Sequence, residues 1–149
     1  MLRELLDHDW YGYETNVGIP KIYKWNWENE ELDIILSTDK VLSNNGTKGN
    51  PCLVADLFGD YREEIILRLE DSSAVRIYTN TELSAHKLFT LLHDSQYRVG
   101  VAWQNNCYNQ PCYTKFYLAD DMEWKYVLPS LAATKPSPKR RFDNFPGGV

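Results

Sequence analysis

Residues 53–69 read Leu53-Val54-Ala55-Asp56-Leu57-Phe58-Gly59-Asp60-Tyr61-Arg62-Glu63-Glu64-Ile65-Ile66-Leu67-Arg68-Leu69. Two short apolar runs flank a turn crowded with carboxylates, and neither run has the length of an ordinary helix. Residues 53–57 predict a short strand that ends in the acidic turn. Glu64 to Leu69 predicts a stronger strand. The turn Asp71-Ser72-Ser73 then leads into Ala74-Val75-Arg76-Ile77-Tyr78-Thr79, which alternates with the period of a half-buried strand.

The same pattern extends in both directions. Ile22-Tyr23-Lys24-Trp25 alternates, and Leu32-Asp33-Ile34-Ile35-Leu36 is a second upstream candidate. Downstream, Arg98 to Trp103 reads as another strand and Tyr113 to Leu118 as a last short one. Leu83 to Tyr97 is ambiguous: Leu88, Leu91 and Leu92 fall at helical spacing and suit a short helix or helical turn. Many short strands with little helix predict an all-β fold, and a sandwich, a barrel or propeller blades would all satisfy the periodicity. Residues 1–131 read as one body. From 132 onward the chain reads "AATKPSPKRRFDNFPGGV", rich in proline, glycine and basic residues, which predicts a mobile C-terminal tail with Lys139-Arg140-Arg141 solvated.

Composition narrows the function classes. The net charge of −5 argues against a nucleic-acid partner, which requires a basic face. No apolar run is long enough to predict a membrane-spanning helix. The first residues carry Arg3 and Glu4 and lack the apolar region of a signal peptide, so the chain either stays inside the cell or continues a longer protein. Aromatic residues make up 13% of the chain, a content that suits both β-cores and sugar-binding surfaces. Cys52, Cys107 and Cys112 do not form a disulfide framework; a small-loop bridge from Cys107 to Cys112 is sterically open, and no zinc-type spacing occurs.

Three loops carry the candidate chemistry. In the acidic turn, Asp56, Asp60 and Glu64 stand at the first, fifth and ninth positions. Gly59 supplies a left-handed backbone, and the Arg62 carbonyl offers a further ligand, so the loop could wrap Ca2+. Phe58 occupies the third position, where such loops usually carry an oxygen ligand. The alternative is a turn whose carboxylates cap amides or pair with Arg62, Arg68 or Arg76. The second loop, Ser43-Asn44-Asn45-Gly46-Thr47-Lys48-Gly49-Asn50-Pro51, is almost wholly polar. The third, Gln104 to Gln110, concentrates carboxamides, which match sugar hydroxyls as both donors and acceptors or else close a turn.

Taken together, "SNNGTKGNPCLVADLFGDYREEIILR", "VRIYTNTE", "LFTLLHDSQYRVGVAWQN" and "CYNQP" resemble the C-terminal region of rhamnogalacturonan lyases of polysaccharide lyase family 11, over about Leu2 to Met122. The resemblance implies the last blades of an eight-bladed, calcium-binding β-propeller in a secreted enzyme. That enzyme would cleave the rhamnose–galacturonate backbone of pectin by β-elimination. The reaction removes the C5 proton of galacturonate, expels the O4 substituent and leaves a 4,5-unsaturated sugar. It requires a base, neutralisation of the carboxylate and a proton for the leaving oxygen. A lysine acts as the base only where desolvation or nearby cations lower its pKa.

By resemblance, Lys48 is the base and Tyr108 positions substrate or donates a proton. Asn45, Gly46, Thr47 and Asn109 contact the sugar. Asp56, Asp60 and Glu64 hold Ca2+, with His93 a further ligand candidate. The resemblance also places the remaining site residues on earlier blades, upstream of Met1, and implies sheet edges through which a short chain could self-associate. A non-catalytic carbohydrate- or calcium-binding β-fragment, or an unrelated small β-protein with bland turns, would carry the same loops without the activity.

Overall fold

The computed structural model describes residues 4–12, 18–45, 47–106, 111–119 and 122. The expected tail, 132–149, lies outside the described residues. Strands β1 (Leu5–Trp10), β2 (Gly18–Asn26) and β3 (Glu31–Ser37) form an antiparallel sheet in that order, with a bulge between Ile22 and Tyr23. A second antiparallel sheet holds β4 (Val41–Leu42), β5 (Leu53–Ala55), β6 (Glu64–Leu69) and β7 (Val75–Tyr78). The fold is mostly β-sheet.

The register of the second sheet explains the long polar loop. Arg68 faces Leu42 of β4 and Val75 of β7, while Ile66 faces Leu53 of β5 and Ile77 of β7. Both β4 and β5 therefore lie on the side of β6 opposite β7, as two halves of one strand line. The chain leaves that line at residue 43 and rejoins it at residue 52, where the Cys52 amide bonds the Ile66 carbonyl at 2.8 Å. The polar loop is an excursion from the middle of an edge strand, opposite Leu67, and β6 runs past it unbroken.

Burial concentrates in the second sheet. Val41, Ala55 and Leu67 are fully buried there, and Leu91, Tyr97 and Cys112 form an adjoining cluster with Phe116 and Leu118 packed on it. β3, by contrast, is exposed on both faces, with Ile34 at 55%. The two sheets are tied where the Ser43 amide bonds the Gly18 carbonyl at 3.0 Å, and the Thr38 hydroxyl anchors the chain leaving β3 to the Pro20 carbonyl of β2.

Two sequence expectations are corrected. Arg98 to Trp103 is not a strand but part of helix α1 (Ser95–Trp103). Its apolar alternation is overridden by a start signal: the Asp94 carboxylate caps the Tyr97 amide at 2.9 Å, which turns Tyr97 into the core. The short helix expected near Leu91 is present as a single 3-10 turn, Leu91–His93, capped by Thr90. Residues 113–118 form no strand; the Thr114 hydroxyl bonds the Phe116 carbonyl at 2.6 Å, and Phe116 and Leu118 pack against the Leu91, Tyr97 and Cys112 cluster. Cys112 is a free thiol, and Cys107, the other end of the bridge that the sequence left open, lies outside the described residues.

Candidate active site

The excursion at residues 43–52 is a small hairpin tied by its own polar groups. Asn45 and Lys48 bridge each other, the Lys48 amide bonds the Asn45 carbonyl at 3.2 Å, and the Asn44 amide bonds the Asn50 carbonyl at 2.7 Å. The Asn45 side-chain oxygen accepts from both the amide and the hydroxyl of Thr47, each at 3.0 Å. This is an Asx-type turn, the local bonding for which Asn and Thr are favoured in tight loops. Gly49 has a packing reason. A Cβ there would stand 3.0 Å from His8 Nδ1 and 3.1 Å from the Asp7 Cα, so β1 backs the loop closely.

Lys48 is exposed and has no carboxylate partner among the described residues. Asn45 and Thr47 stand beside it on the same turn, so the structure brings three of the expected sugar- and proton-handling residues together. Gly46, Tyr108 and Asn109 lie outside the described residues.

The loop is also held from the far side by two residues of the carboxamide-rich segment, which the sequence left open as sugar contacts or turn closers. Gln104, at the end of α1, accepts from the Val54 amide at 2.7 Å and donates to the Val54 carbonyl at 2.5 Å. Its carboxamide pairs with the free edge of β5 as a neighbouring strand would. Asn105, in the left-handed region at φ 61°, donates to the Cys52 and Pro51 carbonyls and accepts from Asn44 Nδ2 at 3.2 Å. Cys52 Sγ closes the circuit by donating to Asn44 Oδ1 at 3.1 Å. No local pattern could have announced this, because the partners of Gln104 and Asn105 lie 50 to 61 residues away in the chain.

The acidic turn is closed internally. Asp56 and Glu64 are both 0% exposed. Asp56 accepts from the amides of Asp60 at 3.0 Å and Leu91 at 2.7 Å. Glu64 accepts from the amides of Leu57 at 2.8 Å and Phe58 at 3.2 Å, and from the Thr79 hydroxyl at 2.9 Å. Asp60 accepts from the Arg62 amide at 3.1 Å and pairs with its guanidinium. That side-chain hydrogen bond to Arg62 holds the Asp60 carboxyl below its usual range. Gly59 and Tyr61 take positive φ to make the turn.

Each carboxylate thus serves its own set of donors instead of a common point. Among the described residues no three His, Cys, Asp or Glu side chains converge as a metal cage. Phe58, at the position where an oxygen ligand would help, is 63% exposed and offers none. In this arrangement all three carboxylates of the turn are engaged by protein donors. The exposed His93 ring lies tilted against Phe89, 5.9 Å between centroids.

Behind the turn, the Tyr97 hydroxyl donates to Glu63 at 2.7 Å and accepts from the Asp56 amide at 2.9 Å. Cys112 Sγ donates to the same Glu63 oxygen at 3.2 Å. Burial, with the Glu63 charge beside them, pushes the Tyr97 hydroxyl well above its ordinary value and the Cys112 thiol up to about 12.

A family model described as rhamnogalacturonan lyase family 11, C-terminal domain, matches residues 1–127. The chain belongs to rhamnogalacturonan lyase family 11. It is 59% identical over 123 residues to the rhamnogalacturonan exolyase YesX of Bacillus subtilis (strain 168), covering 83% of this chain and 20% of that protein. To the rhamnogalacturonan endolyase YesW of the same strain it is 48% identical over 122 residues, covering 82% of this chain and 18% of YesW. The crystal structure of the exotype lyase YesX superposes with a TM-score of 0.76 at 58% identity, over 85% of this chain and 21% of that one. The Bacillus licheniformis rhamnogalacturonan lyase PL11 gives 0.70 at 45% identity, over 81% and 19%. The family-11 chain thus spans about a fifth of the length of these relatives.

Proposed function

We propose that this chain supplies the lysine-bearing part of the active site of a rhamnogalacturonan lyase acting by β-elimination. The observation that carries the reading is the hairpin at residues 43–52. It presents an exposed Lys48, without a carboxylate partner among the described residues, beside Asn45 and Thr47. In the proposed reaction the Lys48 amine takes the C5 proton of galacturonate. The C5 electron pair forms the C4–C5 double bond as the C4–O4 bond breaks, and O4 leaves with a proton. By family resemblance Tyr108 supplies or orients that proton, and Asn45, Gly46, Thr47 and Asn109 hold the sugar. An eight-bladed propeller, with the two sheets described here as parts of its last blades, and action outside the cell on pectin belong to the same proposal.

Calcium, which the resemblance implies, would enter the acidic turn only if Asp60 exchanged Arg62, and Glu64 the Leu57 and Phe58 amides, for the ion. No step of the reaction is routed through it. The test is the absorbance of the unsaturated product released from rhamnogalacturonan by a lyase containing this chain. Lys48→Ala is expected to lower the rate at least about a hundredfold, at or below the usual contribution of a positioned base. A wild-type rate from that variant would refute the assignment.

A further inference from the structure

The hairpin that carries Lys48 is joined to its strand by a narrow neck, where the chain leaves at Asn44 and returns at Cys52. One side chain from a distant element spans that neck. Asn105 donates to the Pro51 and Cys52 carbonyls on the returning side and accepts from Asn44 Nδ2 on the leaving side. Asn44 also accepts from Cys52 Sγ, so three side chains form a closed ring across the base of the loop. The left-handed backbone at Asn105 ends the run from α1, and asparagine is among the few side chains that adopt it at small cost.

We propose that Asn105 is a positioning residue that sets the orientation of the Lys48 hairpin for catalysis, acting through Asn44 and the Pro51–Cys52 carbonyls. The proposal rests on Lys48 as the base. Among the described residues no backbone hydrogen bond joins the excursion to β6 before the Cys52 amide, and β1 backs it at Gly49. The hairpin's internal bonds fix its shape, and the ring at the neck fixes the direction in which that shape points. The same residue stands three positions before Tyr108 in the chain, so the element that aims the lysine also leads into the segment assigned to the leaving group. A base displaced by about 1 Å from its proton costs up to about a hundredfold in rate.

Two variants break the ring from opposite ends. Asn105→Gly removes the carboxamide while keeping the left-handed backbone relaxed, and Asn44→Ala removes the other partner. The first measurement is amide hydrogen exchange of this chain. Exchange at Asn44, Lys48 and Asn50 is expected to rise about tenfold or more in either variant, with Leu67 and Arg68 of β6 unchanged. Unchanged loop exchange would overturn the clamp.

The second measurement is turnover by a lyase containing this chain. Each variant is expected to lower kcat about tenfold or more while KM moves less than about twofold. The double variant is expected to be no slower than the worse single one, because both act through one link. A loosened loop with wild-type kcat, or additive losses in the double variant, would overturn the positioning role. Lys48→Ala run alongside separates the two readings. If it turns over normally, the base assignment fails, while the exchange result still decides whether the clamp exists.

Discussion

Asp56→Ala is the sharpest probe of how the acidic turn holds itself together. The carboxylate is fully buried, and its two oxygens satisfy the amides of Asp60 and Leu91, joining the turn to the 3-10 segment in front of α1. Truncation leaves both donors without their acceptor. A buried donor left unpaired costs about 1–3 kcal/mol. The Leu91 bond is buried and takes the upper part of that range, whereas the Asp60 amide is only partly buried and takes the lower part. The sum is roughly 3–4 kcal/mol, a large share of the ~5–15 kcal/mol that stabilises an ordinary domain. With a urea slope of about 2 kcal/mol per molar, the unfolding midpoint should fall by roughly 1.5–2 M.

The assay is urea denaturation followed by tryptophan fluorescence, run in millimolar calcium and again in excess chelator. Because protein donors already occupy the carboxylate oxygens, the loss should be the same in both buffers. Wild type should show no midpoint change between them. The reasoning fails if chelator alone lowers the wild-type midpoint by as much as the substitution does, since an ion would then be the partner that Asp56 serves.

Other outcomes follow from the same contacts. Cys112, with its thiol pushed up to about 12 by burial and the Glu63 charge, should resist maleimide at pH 8 in the native chain and label fully in denaturant, as mass spectrometry would record. Fast native labelling at Cys112 would contradict that environment. The Asp60–Arg62 pair gives a pH signature. A carboxyl lowered in the folded state stabilises the fold above its unfolded value near 3.8, and that contribution is lost as pH falls through the folded value. Arg62→Ala should therefore unfold at lower urea than wild type at pH 6, and the gap should narrow as the solution is acidified below that unfolded value. A gap that widened in acid would refute the pairing.

Much of the fold was legible because its strands announce themselves. Val75-Arg76-Ile77-Tyr78 alternates strictly, and Glu64 to Leu69 sits between two turns, so both strands lie where periodicity puts them. Arg98 to Trp103 misled for a physical reason. Val99, Val101 and Trp103 alternate like a strand, but Val99 and Trp103 are exposed and Tyr97 is the residue the core takes. The deciding signal was local and lay upstream, in the Asp94 cap. Asn45, Thr47 and Lys48 share one turn, but composition gave only a polar loop, and it was the family resemblance that singled them out together. Gln104 and Asn105 were legible as amides but not as struts, since their partners at residues 44 and 51–54 are near only after the sheet has formed.

The excursion at residues 43–52 also separates two kinds of change. Because β6 pairs with β4 and β5 on either side of the gap and runs past it unbroken, the hairpin can lengthen, shorten or change composition without moving a single rung of the ladder. The strand line acts as a socket with a fixed inlet and outlet. A hairpin from another family member, cut at the same two points, should seat in it with the meander intact.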